Sequence, residues 1–228
     1  MEEHLQATGN GGAIYANSSV TLNKLTIGDD SKQATSTDYA NKATNGGNLY
    51  LAESGTLTIG SDVDLCQGYA TKDGGSLYLE NGSNITKNVN YSLCISGYAG
   101  RFGGGLYSDT ALDLTSSDLT FVVAYSTAVA YGGGIYTTKD FLFSSTKGEL
   151  IVVENRALLD GGGIYSDGGN LRIIGEQQQI DRNSATRDGG SIYVAGGTCT
   201  LKNISTYANS ADGNGGFAYI NGNFTADG

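Results

Sequence analysis

Apolar and polar residues alternate in short runs along the whole chain, and nowhere do they settle into a helical period. Thr56-Leu-Thr-Ile59, Asn84-Ile-Thr86, Leu112-Asp-Leu114, Leu171-Arg-Ile-Ile174 and Cys199-Thr-Leu201 each read as a short strand with one buried face. Gly, Ser, Asp and Asn separate the runs. Between Tyr136 and Tyr165 three β-prone stretches follow one another: Lys139-Asp-Phe-Leu-Phe-Ser, Gly148-Glu-Leu-Ile-Val-Val-Glu-Asn155, and Gly161-Gly-Gly-Ile164-Tyr165. Three strands per unit, repeated, predict a solenoid of strands.

The repeat is explicit. Two glycines, one mostly small residue, an aliphatic residue and a tyrosine recur with the tyrosine at Tyr15, Tyr50, Tyr78, Tyr107, Tyr136, Tyr165, Tyr193 and Tyr219. The intervals are 35, 28, 29, 29, 29, 28 and 26 residues. A period held from one end to the other marks a repeat architecture in which each unit packs only on its neighbours. Two-helix repeats need helix formers, whereas 36 of the 228 residues are Gly. The expectation is all-β: a right-handed, single-stranded parallel β-helix of about eight coils with three short strands per coil. Residues 1–228 form one domain in this reading, uncapped at both ends, with a loop insertion at Asp29 to Asp38 where the first interval is long.

Side-chain alternation then assigns directions. The aliphatic slot holds Ile14, Leu49, Leu77, Leu106, Ile135, Ile164, Ile192 and Ala218, and this face is the expected core. The preceding slot holds Ala13, Asn48, Ser76, Gly105, Gly134, Gly163, Ser191 and Phe217, which alternation places outside with the tyrosines. Eight outward phenols at one register form a ladder. It is either structural, with rings packed on one another, or a platform for a sugar or a partner protein. Asn155, Asn183 and Asn209, each ten residues before its Tyr, predict a second ladder of mutually bonded amides, with a ligand-facing amide row as the alternative.

Composition narrows the function classes. The chain has no Pro, as suits a fold that commits its N–H groups to ladders. A net charge of −10 without a Lys/Arg run argues against nucleic acid and anionic membrane surfaces as partners. No stretch of 18 apolar residues is present to span a bilayer as a helix. Cys66, Cys94 and Cys199 are an odd number. Cys66 and Cys94 fall in neighbouring coils as buried thiols or a strained disulfide.

The residues Gly11-Gly-Ala-Ile-Tyr15, together with Asn183-Ser-Ala185 and Asn209-Ser-Ala211, resemble the Gly-Gly-Ala-Ile and Asn-x-Ala repeats of chlamydial-type polymorphic outer-membrane proteins. The resemblance runs through all eight coils. It implies the β-helical passenger of an autotransporter, displayed on the outer membrane or otherwise extracellular, acting in adhesion. It also implies as partner a protein or glycan on a host or neighbouring cell. The family's second motif has a Phe three residues before its Asn. Here Leu150 to Glu154 precede Asn155 and Gln179-Ile-Asp-Arg precede Asn183, with no Phe in that slot.

Catalytic and metal chemistry find little support. The one His is His4, the 13 basic residues are scattered, and neither Gly-x-Ser-x-Gly nor a phosphate loop occurs. A carbohydrate-active β-helix enzyme is the remote alternative. No cofactor, metal site or catalytic residue is expected. Asp73, Asp160 and Asp188 sit beside glycine pairs, with Asn10, Asn45 and Asn214 in the same slot. Asp160 and Asp188, one coil apart, should repel unless a cation or solvent relieves them. Six sequons, at Asn17, Asn81, Asn84, Asn90, Asn203 and Asn223, are glycan acceptors only in a eukaryotic secretory path. The expected function is a non-enzymatic extracellular scaffold, the stalk or binding segment of an adhesin. Head-to-tail self-association into a filament or coat is the second reading.

Overall fold

The computed structural model describes residues 5–29, 40–86, 91–116 and 118–227. All of its regular structure is β, every strand pairing between coils is parallel, and the strands stack as a solenoid of about six turns. The motif count of eight is the number of rungs on one face rather than of closed turns. That face is an eight-stranded sheet running from Ile14–Ala16 to Ala218–Ile220. The expected insertion at Asp29 to Asp38 lies, apart from Asp29, outside the described residues.

Register follows the motif. Leu106 lies opposite Leu77 and Ile135, and Tyr107 opposite Tyr78 and Tyr136. Each aliphatic side chain therefore rests on the one below it. Leu49, Leu77, Leu106, Ile135, Ile164 and Ile192 are fully buried in one continuous core. The second face, for example Phe141–Ser145, alternates in the same way and sends Phe141 and Phe143 inward.

The third face is bent. Strands such as Thr120–Ala124 end at a corner and resume as a two-residue strand, Thr127–Ala128. The corner residue adopts positive φ at Gln67, Tyr125, Glu154 and Arg182, between 50° and 55°. After the corner an inward alanine recurs in register, Ala70, Ala99, Ala128, Ala157 and Ala185, all buried.

Turning the chain inward at the corner strands a carbonyl. The residue three positions before the inward polar slot points its C=O into the interior, and a buried carbonyl needs a donor. Asn155 Nδ2 bonds Val123 O at 2.9 Å, Asn183 Nδ2 bonds Val152 O at 2.8 Å and Asn209 Nδ2 bonds Ile180 O at 2.8 Å. In the coil where this slot is Gly68, Ser76 supplies the donor from the opposite wall, Oγ to Leu65 O at 2.9 Å.

That wall is the small slot of the motif, and here the expected direction is wrong. Asn48, Ser76 and Ser191 are fully buried and face inward. Strand alternation begins only at the aliphatic residue. The first glycine of each pair turns the chain just before it, as at Gly132 with φ of 65°, so the period of two cannot be extended back across the turn. At Gly134 a Cβ would come within 2.7 Å of Gly163 O and 3.0 Å of Asn155 Cγ, whereas Asn41 and Asn183 share the seam with Asn48 and Ser191 through side-chain hydrogen bonds.

Candidate functional site

The tyrosines point away from the core, since Leu77 and Leu79 flank Tyr78 and are buried. Strands one rung apart bring the rings into direct contact. From Tyr15 through Tyr50, Tyr78, Tyr107, Tyr136, Tyr165 and Tyr193 to Tyr219, centroids lie 4.6–5.4 Å apart with planes within 11°. Strand spacing and ring-stacking distance coincide, so rings at one register lie face to face.

The stack changes what the ladder can do. Tyr50, Tyr136 and Tyr165 are 5%, 6% and 9% exposed, against 55% for Tyr15 in the first coil. Of the two expected uses of this outward row, packing of ring on ring or a platform, the rings adopt the packed arrangement: they cover each other's faces and leave edges and hydroxyls at the surface. A sugar has no ring face to stack on within the column. The structural reading of the ladder is the one this geometry supports.

Burial raises the phenol pKa values of Tyr50, Tyr78, Tyr107, Tyr136, Tyr165 and Tyr193, with Tyr78 pushed up to about 12. At Tyr136 a carboxylate adds to the effect: the hydroxyl donates to Asp167 Oδ2 at 2.7 Å.

A second aromatic column lies beside the first, in the slot before the glycine pair. Phe102 stacks on Tyr136 at 4.7 Å and on Tyr131 at 5.5 Å, and Tyr131 stacks on Tyr165 at 4.8 Å. The same slot holds Asp73 and Asp160 at its two ends, and each meets an arginine one coil on. Arg101 forms a two-pronged ion pair with Asp73 and its guanidinium lies 4.7 Å from the Phe102 ring centroid. Arg187 pairs likewise with Asp160 and lies 5.9 Å from the Tyr131 centroid.

The anticipated repulsion between Asp160 and Asp188 is thus relieved by Arg187. The Asp188 N–H also donates to Asp160 Oδ1 at 3.0 Å. The bond to Asp160 raises the Arg187 pKa. No sequence motif marks Phe102, Tyr131 and the two arginines, because the aromatic and acidic residues share a slot without sharing chemistry. Only the register aligns them.

The amide ladder forms as expected. Asn155 Nδ2 donates to Asn183 Oδ1 at 3.0 Å and Asn183 Nδ2 to Asn209 Oδ1 at 3.3 Å. The backbone N–H groups of Asn155 and Asn183 donate to the same oxygens, at 3.0 and 2.9 Å. Asn155 and Asn183 are buried, so these amides face the interior and not a ligand.

None of the three cysteines is in a disulfide, and Cys94 lies opposite Asp64 rather than Cys66. Burial pushes the Cys94 thiol up to about 11 and Cys199 up to about 12, so both stay protonated at neutral pH. Among the described residues no three His, Cys, Asp or Glu side chains converge as a metal site. No helix there is long and apolar enough to cross a membrane. His4 and the sequon at Asn90 lie outside the described residues, and Asn17, Asn81, Asn84, Asn203 and Asn223 are exposed.

No protein-family model, curated protein or solved structure matches this chain. The repeat residues themselves remain the whole basis for any family reading.

Proposed function

We propose that the chain is a non-enzymatic extracellular scaffold, the stalk of a surface-displayed adhesin of the polymorphic outer-membrane kind. The observation that carries this reading is that the repeated side chains are spent on holding coils together. The aliphatic slot fills the core, the amides satisfy corner carbonyls and the phenols stack on each other. A rod built this way separates what lies at its two ends. It can lose or gain a coil without losing its architecture.

Excision of one whole repeat from a cell-displayed form tests the proposal. The stalk reading expects surface exposure, folding and adhesion to persist, with the rod shorter by roughly 4.8 Å. Loss of adhesion with folding intact would assign recognition to the excised coil instead.

The second reading, head-to-tail assembly, is favoured by the matching edges of the first and last described rungs. Ile14–Ala16 and Ala218–Ile220 carry the same motif register, so a second copy could extend every ladder. Concentration-dependent sedimentation tests it: growing species support a filament, and a constant monomer over a hundred-fold range removes it.

A further inference from the structure

The tyrosine column is also a series of oxidisable groups in contact. From Tyr15 to Tyr219 each ring stacks on the next without a break, at 4.6–5.4 Å between centroids and with planes within 11°. At this separation the π systems of neighbouring rings overlap, so an electron passes from ring to ring without crossing saturated chain. The series spans roughly 34 Å at about 4.8 Å per rung. The chain contains no Trp, and phenols are its most readily oxidised aromatic groups. The second column offers no bypass: Phe102, which lacks a phenol oxygen, stands between Tyr131 and Tyr136, so Tyr131 is a side branch at Tyr165.

A phenol that loses an electron must also lose its proton. Along most of the column the hydroxyls stand at the surface, where water takes it. Tyr136 lies in the middle of the column and is buried, and there a carboxylate is already in place: the hydroxyl donates to Asp167 Oδ2 at 2.7 Å.

We infer that the tyrosine column conducts single oxidising equivalents along the rod, from an oxidant at one end to an electron donor at the other. A one-electron oxidant, such as a metal complex in a high oxidation state, takes an electron from the ring nearest to it and is reduced. Tyr15, exposed in the first coil, is the ring within its reach. That phenol releases its proton and becomes a neutral tyrosyl radical. It then takes an electron from the ring stacked on it and regains a proton, so the radical moves one rung. At Tyr136 the proton goes to Asp167, which returns it when Tyr136 is reduced again. Summed over the column, one electron passes from donor to oxidant, the donor loses one proton, and every ladder residue ends as it began. The activity uses the packed stack as it stands and depends on neither the stalk nor the filament reading.

The test is flash photolysis of the whole chain with a ruthenium tris-bipyridine complex on Asn17→Cys, an exposed site beside the first rung. Cys94→Ser keeps the label off the half-buried thiol, since Cys66 and Cys199 are buried. Dihydroxyphenylalanine replaces Tyr219 as the electron donor. A flash in the presence of a sacrificial electron acceptor makes ruthenium(III). The far-end catechol should then lose one electron and one proton to give a semiquinone, followed by absorbance and electron paramagnetic resonance. Tyr107→Phe combined with Tyr136→Phe keeps rings at every rung and the β-sheet circular-dichroism spectrum, but should slow this oxidation about tenfold or more. Tyr107→Phe alone should slow it by less. Tyr69→Phe combined with Tyr98→Phe, a stacked pair outside the column, should leave it unchanged. The inference is overturned if no semiquinone forms in the parent, if the folded Tyr107 variants match it, or if the off-column pair slows it equally. It also fails if a mixture of chains carrying only the label and chains carrying only the catechol reacts as fast.

Discussion

Removing one amide from the interior seam should cost the rod more than removing any surface contact. Asn183 is fully buried, and its Oδ1 accepts from both Asn155 N and Asn155 Nδ2 at 3.0 Å. Its Nδ2 donates to Val152 O at 2.8 Å, Ser191 Oγ at 3.1 Å and Asn209 Oδ1 at 3.3 Å. In Asn183→Ala the Asn155 N–H and the seam contact of the Val152 carbonyl are left without that partner, in a site water does not reach. Each orphaned group costs about 1–3 kcal/mol, so the pair costs roughly 4 kcal/mol. For a chain of this size that lowers Tm by about 10 °C. Asn209→Ala removes the same kind of side chain where it is only half-buried. Water replaces much of what is lost, and the cost falls to about 1 kcal/mol. Urea unfolding followed by circular dichroism measures both. If the two variants lie within about 0.5 kcal/mol of each other, the seam does not act by satisfying buried carbonyls and the argument fails.

Ile135→Asp places an unpaired charge in the core and should destabilise by more than about 4 kcal/mol, whereas the exposed Lys139→Ala should stay within about 0.5 kcal/mol. Thermal melts showing the two equally stable would overturn the inward assignment of the aliphatic slot. The phenol shifts predict alkaline unfolding. Unfolded tyrosines ionise near pH 10 while native Tyr78 holds its proton to about 12. Above pH 10 the native state therefore binds more protons, and stability falls as pH rises through that window. Phenolate absorbance should appear together with loss of the β-sheet signal; phenols titrating near pH 10 in a still-folded chain would contradict the burial of the stack.

Much of this fold is legible in the sequence because one motif fixes one register. Once Gly-Gly-x-aliphatic-Tyr recurs every coil, the pairing of Leu106 with Ile135, and of Ile135 with Ile164, needs no further information. Three features escaped for physical reasons. Asn48 and Ser76 precede the strand, beyond a glycine turn that resets side-chain direction. The burial of Tyr136 comes from the neighbouring rings of Phe102, Tyr107 and Tyr165 rather than from the core, so hydrophobic patterning does not register it. Leu65 and Val123 pose the same carbonyl problem, solved by Ser76 from one wall and by Asn155 from the other. A repeat search keyed to residue identity sees only the second solution.

The central claim is that the tyrosine stack holds the rod together and is not a recognition surface. Replacing Tyr107, Tyr136 and Tyr165 together by Ser removes the ladder contacts from Tyr78 to Tyr193 and those with Phe102 and Tyr131. At about 0.5–1.5 kcal/mol per ring pair beyond burial, the six contacts amount to roughly 3–9 kcal/mol. That is comparable to the whole stability of a typical domain. The decisive measurement is the thermal melt of the triple variant by circular dichroism, run beside adhesion of the displayed protein to its target. The account predicts that the cooperative transition is lost or lowered steeply. A variant that melts cooperatively at the parent temperature, yet no longer adheres, would show the tyrosines to be a binding face and would contradict it.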